Sequence, residues 1–268
     1  GPRLRQGQSI PFIVRDIGDE LPCGISTIYR LVSDGEIEGV RNIDLPRKVR
    51  FKQRKTKRSF KIDPKARIGR SMEDYRRFIT SGDHGPLVEM DTIEGKKGGA
   101  VLLSLRWPLI GLHLLFWREA NTARSVQTIF DELYHRLGRD RFVRLFGVIV
   151  TDNGSEFSNP FALEVAPDGT RRTHLFYCNP GSPQEKPSVE RGHAEVRRVL
   201  PKGMSLDGLT PEQVRLVQDH LNSYGTKKLN GASPYATFSQ IFDDSYAHDL
   251  GWTIIEPARI TLTPKLLK

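Results

Sequence analysis

Three acidic residues have the types and positions that metal-dependent phosphodiester chemistry requires. Asp91 lies inside a short apolar segment, Asp152 follows the apolar run 148–150, and Glu190 comes soon after Pro187. That chemistry needs two or three carboxylates that converge on one point, where two metal ions roughly 3.5–4 Å apart activate the attacking oxygen and stabilise the leaving one. Carboxylate oxygens are hard ligands that suit magnesium. We therefore predict that Asp91, Asp152 and Glu190 are catalytic and hold two Mg²⁺ (or Mn²⁺) ions.

Each acid also has a purely structural explanation. Asp152-Asn153-Gly154 has the composition of a simple turn, in which the Asp152 side chain accepts backbone N–H groups. Asp91 would also fit a pair with a basic side chain, and Glu190 an exposed helix face. Three acids in the right order of elements favour function over these separate explanations. Glu89 shares strand parity with Asp91 and is the strongest candidate for a supporting acid. The neighbouring acids to which we assign no role are Glu94, Glu156, Glu185 and Glu195.

The elements around these acids predict an α/β fold. Apolar and turn-forming residues predict strands over 87–92, 100–105, 112–117, 148–150 and 176–178, with helices over 121–138, 187–200 and 210–225. Three strands, a helix, a strand, a strand and a helix are the order of a ribonuclease H-like core, a mixed five-stranded sheet with flanking helices. In such a sheet the strands that carry Asp91 and Asp152 are central neighbours, and sites form at the carboxyl ends of strands.

A small helical domain is predicted ahead of this core. Ser9 is placed to cap one helix with Pro11 in its first turn, residues 18–22 break that helix, and Ser26 is placed to cap a second helix over 27–33. This pattern predicts a helix-turn-helix, and residues 24–32 resemble the recognition helix of site-specific DNA invertases. A short helical hairpin that binds no DNA is the alternative. The residues expected to face DNA are Ser26, Thr27, Tyr29 and Arg30.

Positive charge is concentrated between these two parts. The chain carries 41 basic and 32 acidic residues, and residues 41–67 alone hold 12 basic and 2 acidic ones. Such a run predicts a linker that binds DNA phosphates, although a solvated tail has the same composition. The linker residues expected to contact DNA are Arg47, Lys48, Arg50, Lys52, Arg54, Lys55, Lys57 and Arg58.

Length and composition bound the remaining possibilities. The 268 residues suit one large or two smaller domains, and neither a signal peptide nor a membrane-spanning run is present. Cys23 and Cys178 are far apart and lack clustered His ligands, so we expect reduced thiols in a cytoplasmic protein. Gly1-Pro2 resembles the remnant of a cleaved tag, so we expect the natural protein to begin earlier. The predicted division is a helix-turn-helix domain over 1–40, a basic linker over 41–70, a catalytic domain over 71–245 and a tail packed on the core over 246–268.

Several separate motifs carry a resemblance to a known family. They are segments 42–50, 89–95, 151–157, 176–180, 185–190, 200–203, 227–230 and 233–235, which fall in order along the chain. Together they resemble the DDE transposases of the IS-thirty insertion-sequence family, whose catalytic core is similar to that of retroviral integrases. Two local departures stand out: Arg191-Gly192-His193 replaces the common Asn-Asn-His, and Glu185-Lys186-Pro187 replaces Gln-Lys-Gly. These departures bear on target-DNA preference and on the shape of the loop.

The resemblance implies a function and its partners. The family's catalytic acids fall on Asp91, Asp152 and Glu190. They imply cleavage and joining of double-stranded DNA at the terminal inverted repeats of a mobile element, through a circular or abutted-end intermediate in the cytoplasm of a bacterium, near its nucleoid. A homodimer or larger assembly on DNA is expected, because two transposon ends must meet. Lys186, His193 and Arg197 are further candidates for DNA contact. The alternatives are a catalytically silent DNA-binding regulator and a metal-dependent nuclease without strand transfer.

Overall fold

A computed structural model describes residues 1–46, 63–82 and 84–267. The predicted contacts of the basic linker, from Arg47 to Arg58, lie outside these described residues. Within them, one mixed sheet forms the centre of the molecule, and helices cover both of its faces.

The sheet has the topology that the sequence predicts. Its five strands are β1 (Leu87–Glu94), β2 (Val101–Arg106), β3 (His113–Arg118), β4 (Val148–Thr151) and β5 (His174–Tyr177). They lie in the order β3-β2-β1-β4-β5; β1, β2 and β3 pair antiparallel, while β4 pairs parallel with both β1 and β5. The ribonuclease H-like core is therefore confirmed.

Eleven α-helices lie within the described residues. In chain order they are α1 (Pro2–Arg5), α2 (Ile10–Ile17), α3 (Ile25–Ser33), α4 (Met72–Thr80), α5 (Ala123–Leu137), α6 (Arg139–Phe146), α7 (Pro160–Glu164), α8 (Pro187–Val199), α9 (Pro211–Asn222), α10 (Pro234–Ser239) and α11 (Ser245–Leu250). The sequence predicts α5, α8 and α9 close to these bounds. Helix α6 is an addition, and it begins directly after Gly138, whose φ of 72° ends α5.

The two faces of the sheet carry different cores. Val88 and Met90 of β1 point toward α5 and α6 and pack with Phe130 and Phe142. The alternate residues point toward α8 and α9, where Leu102 and Leu115 pack with Val196, Val199 and Val214. Because side chains alternate along a strand, Glu89 and Asp91 share the second face, the one that α8 covers. This alternation puts the acidic side chains of β1 under the helix that carries Glu190.

The N-terminal helices form a small core of their own. Ser9 caps α2 as predicted, since its Oγ accepts the Phe12 N–H at 3.4 Å. The predicted cap of α3 is wrong: this helix begins at Ile25, and Gly24 is its N-cap, with no side-chain hydrogen bond from Ser26. Gly24 adopts an extended backbone there (φ −78°, ψ 170°), which glycine tolerates well at a helix start. Helix α3 therefore starts two residues earlier than predicted.

The C-terminal segment ties these helices to the rest of the chain. The Leu262 N–H donates to the Gln6 carbonyl at 2.7 Å, and Gln8 Nε2 donates to the Ile260 carbonyl at 2.7 Å. Phe12 of α2 stacks on Tyr224 with ring centroids 4.1 Å apart. These contacts bring α2 against the segment that follows α9. Among the described residues, no helix is long and apolar enough to cross a membrane.

Candidate active site

Asp91 and Asp152 lie side by side because of the register between β1 and β4. Met90 of β1 pairs with Thr151 of β4 in the parallel ladder, so the next residue on each strand is an aspartate. One carboxylate oxygen of each is held by the backbone: Asp91 Oδ1 accepts the Thr92 N–H at 2.8 Å, and Asp152 Oδ1 accepts the Gly154 N–H at 3.0 Å. The turn explanation for Asp152 is therefore correct as far as one oxygen is concerned. It leaves the second oxygen for another role.

Lys186 joins these second oxygens. Its Nζ lies 2.9 Å from Asp91 Oδ2 and 3.9 Å from Asp152 Oδ2, and it also donates to the Met90 carbonyl at 3.2 Å. The residue is only 2% exposed. A lysine is almost never buried to this degree unless it is paired. Its ammonium is therefore a cation that both aspartates share.

The pKa values of the two aspartates shift in opposite directions, although the Lys186 ammonium lowers both. Burial opposes ionisation of Asp91, but the Lys186 ammonium and then His193 outweigh it, so the pKa of Asp91 lies below its ordinary value. Burial raises the pKa of Asp152, and the more distant ammonium offsets this only in part, while the charge of Asp91 adds to the increase. One ammonium thus favours the charge on the nearer acid and leaves the second acid under-compensated. The two carboxylates carry more negative charge than the single Lys186 ammonium compensates.

Glu89 anchors the helix above the site. Its Oε2 accepts the Val189 N–H at 2.6 Å, in the first turn of α8, and the side chain is buried. Burial raises the pKa of Glu89, although the backbone N–H groups of Val189 and Ser188 lower it in part. An anion at a helix N-terminus is favourable because unpaired N–H groups point toward it. The structure therefore gives Glu89 a supporting position, as its strand parity predicts.

Glu190 does not join the two aspartates in this structure. It lies in the first turn of α8 and is half-buried. Across residues 1–46, 63–82 and 84–267, no three His, Cys, Asp or Glu side chains are close enough to hold a metal ion together. The structure thus brings together two of the three predicted acids, with Lys186 between them.

His193 and Arg197 follow Glu190 along α8. His193 is about half-buried, and its Nε2 has no hydrogen-bond partner among the described residues. Burial lowers the pKa of His193 to about 4, against the opposing effect of Asp91, so the imidazole is neutral. Arg197 donates to the Glu94 carbonyl, which directs its Nη2 to the end of β1. The predicted roles of His193 and Arg197 in DNA binding stay predictions.

The sequence did not lead us to predict a buried polar network beneath α8. His113 Nε2 lies 2.6 Å from Ser104 Oγ, and Arg106 Nη1 pairs with Glu195 at 2.9 Å. Arg106 Nε also donates to Ser188 Oγ at 3.2 Å, which links β2 to the start of α8. The signal for this network is the presence of Ser104 and Arg106 at alternate positions of an otherwise apolar strand. Glu195, to which the sequence interpretation gave no role, belongs to it.

Glu156 is a second acid that the sequence interpretation passed over. It is 8% exposed, accepts a hydrogen bond from Asn121 Nδ2 at 3.3 Å, and contributes to the raised pKa of Asp152. Arg118 lies beside it, and burial lowers the pKa of this guanidinium to about 10, with the charge of Glu156 opposing the decrease. Glu156 therefore adds a further buried acid to this edge of the sheet, with the Arg118 guanidinium beside it. Its position after Asp152 in a Gly-containing turn gave no periodic signal.

The predicted DNA-facing residues of α3 lie mostly on its outer side. Ser26, Tyr29 and Arg30 are exposed and Thr27 is half-buried, while Val32 on the opposite side is buried in the N-terminal core. Because α3 begins at Ile25, Arg30 lies in its last turn rather than near its start.

Comparisons with known proteins find sequence similarity to an integrase and to a transposase. It is 26% identical over 223 residues to a protein named as an integrase, ORF3, of Spiroplasma virus SpV1-R8A2 B; the match covers 82% of this chain and 65% of that protein. It is 27% identical over 161 residues to the transposase of insertion sequence element IS4351 from Bacteroides fragilis, covering 59% of this chain and 46% of the relative. The chain thus spans less than two thirds of the length of these relatives. No protein-family model matches it.

The chain was also compared with solved structures. The catalytic core domain of BIV integrase aligns with 62% of this chain and 99% of its own length, at 20% sequence identity and a TM-score of 0.42. In sequence, the chain is similar to an integrase and to a transposase. These relatives do not single out the IS-thirty family, which stays a prediction.

Proposed function

We propose that the chain is a transposase that binds the terminal inverted repeats of an insertion sequence and catalyses metal-dependent DNA strand cleavage and strand transfer. The observation that carries this proposal is the pairing of Asp91 and Asp152 at adjacent strand ends around one shared cation. The similarity to an integrase and to a transposase supports the reaction type. The bacterial and viral origin of these relatives supports action on DNA in a bacterial cytoplasm.

The site is suited to a divalent metal by the chemistry of its donors. Lys186 acts as a stand-in ion, since its ammonium is surrounded by two carboxylate oxygens and the Met90 carbonyl oxygen. Hard oxygen donors of this kind are the ligands of Mg²⁺ and Mn²⁺. We infer that Asp91 and Asp152 hold such an ion in the free chain, and that Glu190 joins them to hold two ions in the DNA-bound state. Bound there, the metal supplies a water or hydroxyl of lowered pKa and neutralises charge on the phosphate.

The protein's own residues supply positioning. The N–H groups of Thr92 and Gly154 fix one oxygen of each aspartate, so the second oxygen is presented at low entropic cost. Glu89 holds the start of α8 against β1. This contact fixes the position of the helix from which Glu190 would reach the two aspartates. No covalent link between enzyme and DNA is required, because the 3′-hydroxyl freed by the first cut is itself the nucleophile for joining.

DNA binding is assigned to the N-terminal part of the chain. The exposed side of α3 would contact base edges or phosphates through Ser26, Tyr29 and Arg30. The basic linker would add salt-dependent affinity for the backbone. Two ends must be joined in one event, so the active form is proposed to be a homodimer or a larger homo-oligomer on DNA.

The proposal is tested by replacing one acid. Asp152→Asn should abolish Mg²⁺-dependent cleavage of end DNA and joining of a pre-cut end to a plasmid, while end binding persists. Asp140→Asn is the matched control, because that side chain is 90% exposed and pairs with Arg139, which is also exposed. Cleavage retained in Asp152→Asn contradicts the assignment. Cleavage without joining in the unmodified protein indicates a nuclease, and end binding without either activity indicates a DNA-binding regulator.

A further inference from the structure

Lys186 occupies the position between the two aspartates that a metal ion would take. Its ammonium contacts oxygens from β1 and from the end of β4, and the side chain is 3% exposed. The contacts join three separate parts of the chain: the first strand, the turn after the fourth, and the residue that precedes α8. A lysine held in this way is a fixed internal counter-ion.

A metal ion and this ammonium cannot share the position. Magnesium bonds to oxygen at about 2.0–2.1 Å and requires near-octahedral geometry, so an ion bound to Asp91 and Asp152 needs the space that Nζ fills. Two cations at such short separation would also repel each other strongly. One of them must therefore leave when the other binds.

The chain allows the ammonium to leave without a change of fold. Lys186 directly precedes Pro187, which begins α8, and the Glu89 carboxylate holds the first turn of that helix. The backbone is thus fixed, while the lysine ammonium sits on a flexible four-carbon stem. Displacement of the ammonium would therefore take the form of side-chain rotation rather than a shift of the helix.

We propose that Lys186 is a tethered cation that fills the metal position of the empty site and is displaced when a divalent ion binds. This inference rests on the proposed function, since it takes Asp91 and Asp152 to be metal ligands. It has two consequences. Without metal, the ammonium compensates part of the negative charge of the two aspartates. With metal, affinity is set partly by the need to remove the ammonium.

The first test uses the chain without any substitution. Lysine acetylation with an N-hydroxysuccinimide ester, followed by peptide mass spectrometry, should label Lys186 at least ten-fold more slowly than exposed Lys202 in EDTA. Saturating Mg²⁺ should raise the rate at Lys186 several-fold and leave Lys202 unchanged. A Lys186 rate that is the same with and without Mg²⁺ overturns the proposal.

The second test measures metal binding directly, without DNA. Mn²⁺ binding followed by electron paramagnetic resonance should be at least ten-fold tighter in Lys186→Met than in the unmodified protein, because no ammonium has to leave. Lys202→Met is the matched control for loss of one positive charge. Equal Mn²⁺ affinity in Lys186→Met and the unmodified protein contradicts displacement.

Mn²⁺ binding by the two variants distinguishes failure of the metal site from failure of Lys186 displacement. If Asp152→Asn removes Mn²⁺ binding but Lys186→Met leaves its affinity unchanged, the metal site stands and the tethered cation is wrong. If Asp152→Asn has no effect on Mn²⁺ binding, the metal assignment under the proposed function is itself wrong.

Discussion

Removal of the Lys186 ammonium should destabilise the metal-free protein and leave the metal-bound protein much less affected. Lys186→Met keeps an unbranched side chain of similar length, so packing is largely preserved. It leaves Asp91 and Asp152 buried, without the cation that contacts both at 2.9 and 3.9 Å. The change therefore isolates charge from volume.

The expected size follows from the burial of the group. Removing one partner of a buried ion pair costs roughly 3–5 kcal/mol of unfolding free energy, because an uncompensated charge remains. At about 2–4 °C per kcal/mol for a chain of this size class, Tm should fall by roughly 6–20 °C in EDTA. The unmodified protein is stabilised by metal as well, so a variant with at least ten-fold tighter affinity recovers at least about 1.4 kcal/mol of this loss at saturating Mg²⁺.

The assay is thermal unfolding by circular dichroism, in EDTA and in a Mg²⁺ series, with Lys202→Met as control. That control should change the unfolding free energy by less than about 0.5 kcal/mol, since Lys202 is exposed. Adding Asp91→Asn to Lys186→Met should recover part of the loss, because only one buried acid then lacks a counter-charge. If Lys186→Met matches the unmodified protein in EDTA, the shared-cation interpretation is refuted.

Three further predictions concern other parts of the molecule. Glu89→Ala should lower the unfolding free energy in urea by about 1–3 kcal/mol, since the Val189 N–H loses its acceptor, whereas Glu89→Gln keeps an acceptor oxygen and should cost less than about 1 kcal/mol; equal costs would argue against the anchor. Burial raises the pKa of Asp219 to about 6 from 3.8, so the folded form holds this proton more tightly than the unfolded form does. Stability should therefore fall by up to about 3 kcal/mol as the pH rises through that window, and Asp219→Asn should flatten the pH dependence in urea titrations; an unaltered slope would show that another group is responsible. Arg30→Ala should weaken binding of end DNA by about 1–3 kcal/mol in a gel-shift assay while non-specific binding changes little, and an equal loss on both DNAs would reduce Arg30 to a phosphate contact.

The sheet and the adjacency of two acids were predictable because both depend on backbone pattern. The apolar runs fix the strands, and the short parallel register places the residue after Met90 beside the residue after Thr151. Since side chains alternate along a strand, the shared face of Glu89 and Asp91 followed as well. These inferences needed only the order and periodicity of the chain.

The remaining features depend on side-chain packing that periodicity does not encode. The position of Lys186 between two carboxylates depends on how a long side chain fills a buried gap, which the sequence pattern does not encode. Its role in DNA contact stays a prediction. The start of α3 was misplaced because Ser26 is a stronger statistical cap than Gly24, although the extended backbone falls at Gly24. Convergence of Glu190 with the two aspartates stays a prediction, since it depends on the cation that is bound.

The most direct test of the central claim is a crystal structure of the full chain with end DNA and Mn²⁺, in which the anomalous signal locates the metal. We predict manganese bonded to oxygens of Asp91, Asp152 and Glu190 at about 2.2 Å, with Lys186 Nζ moved away from both aspartates. Bound DNA without manganese at these carboxylates, or with Glu190 out of reach of the ion, would contradict the account.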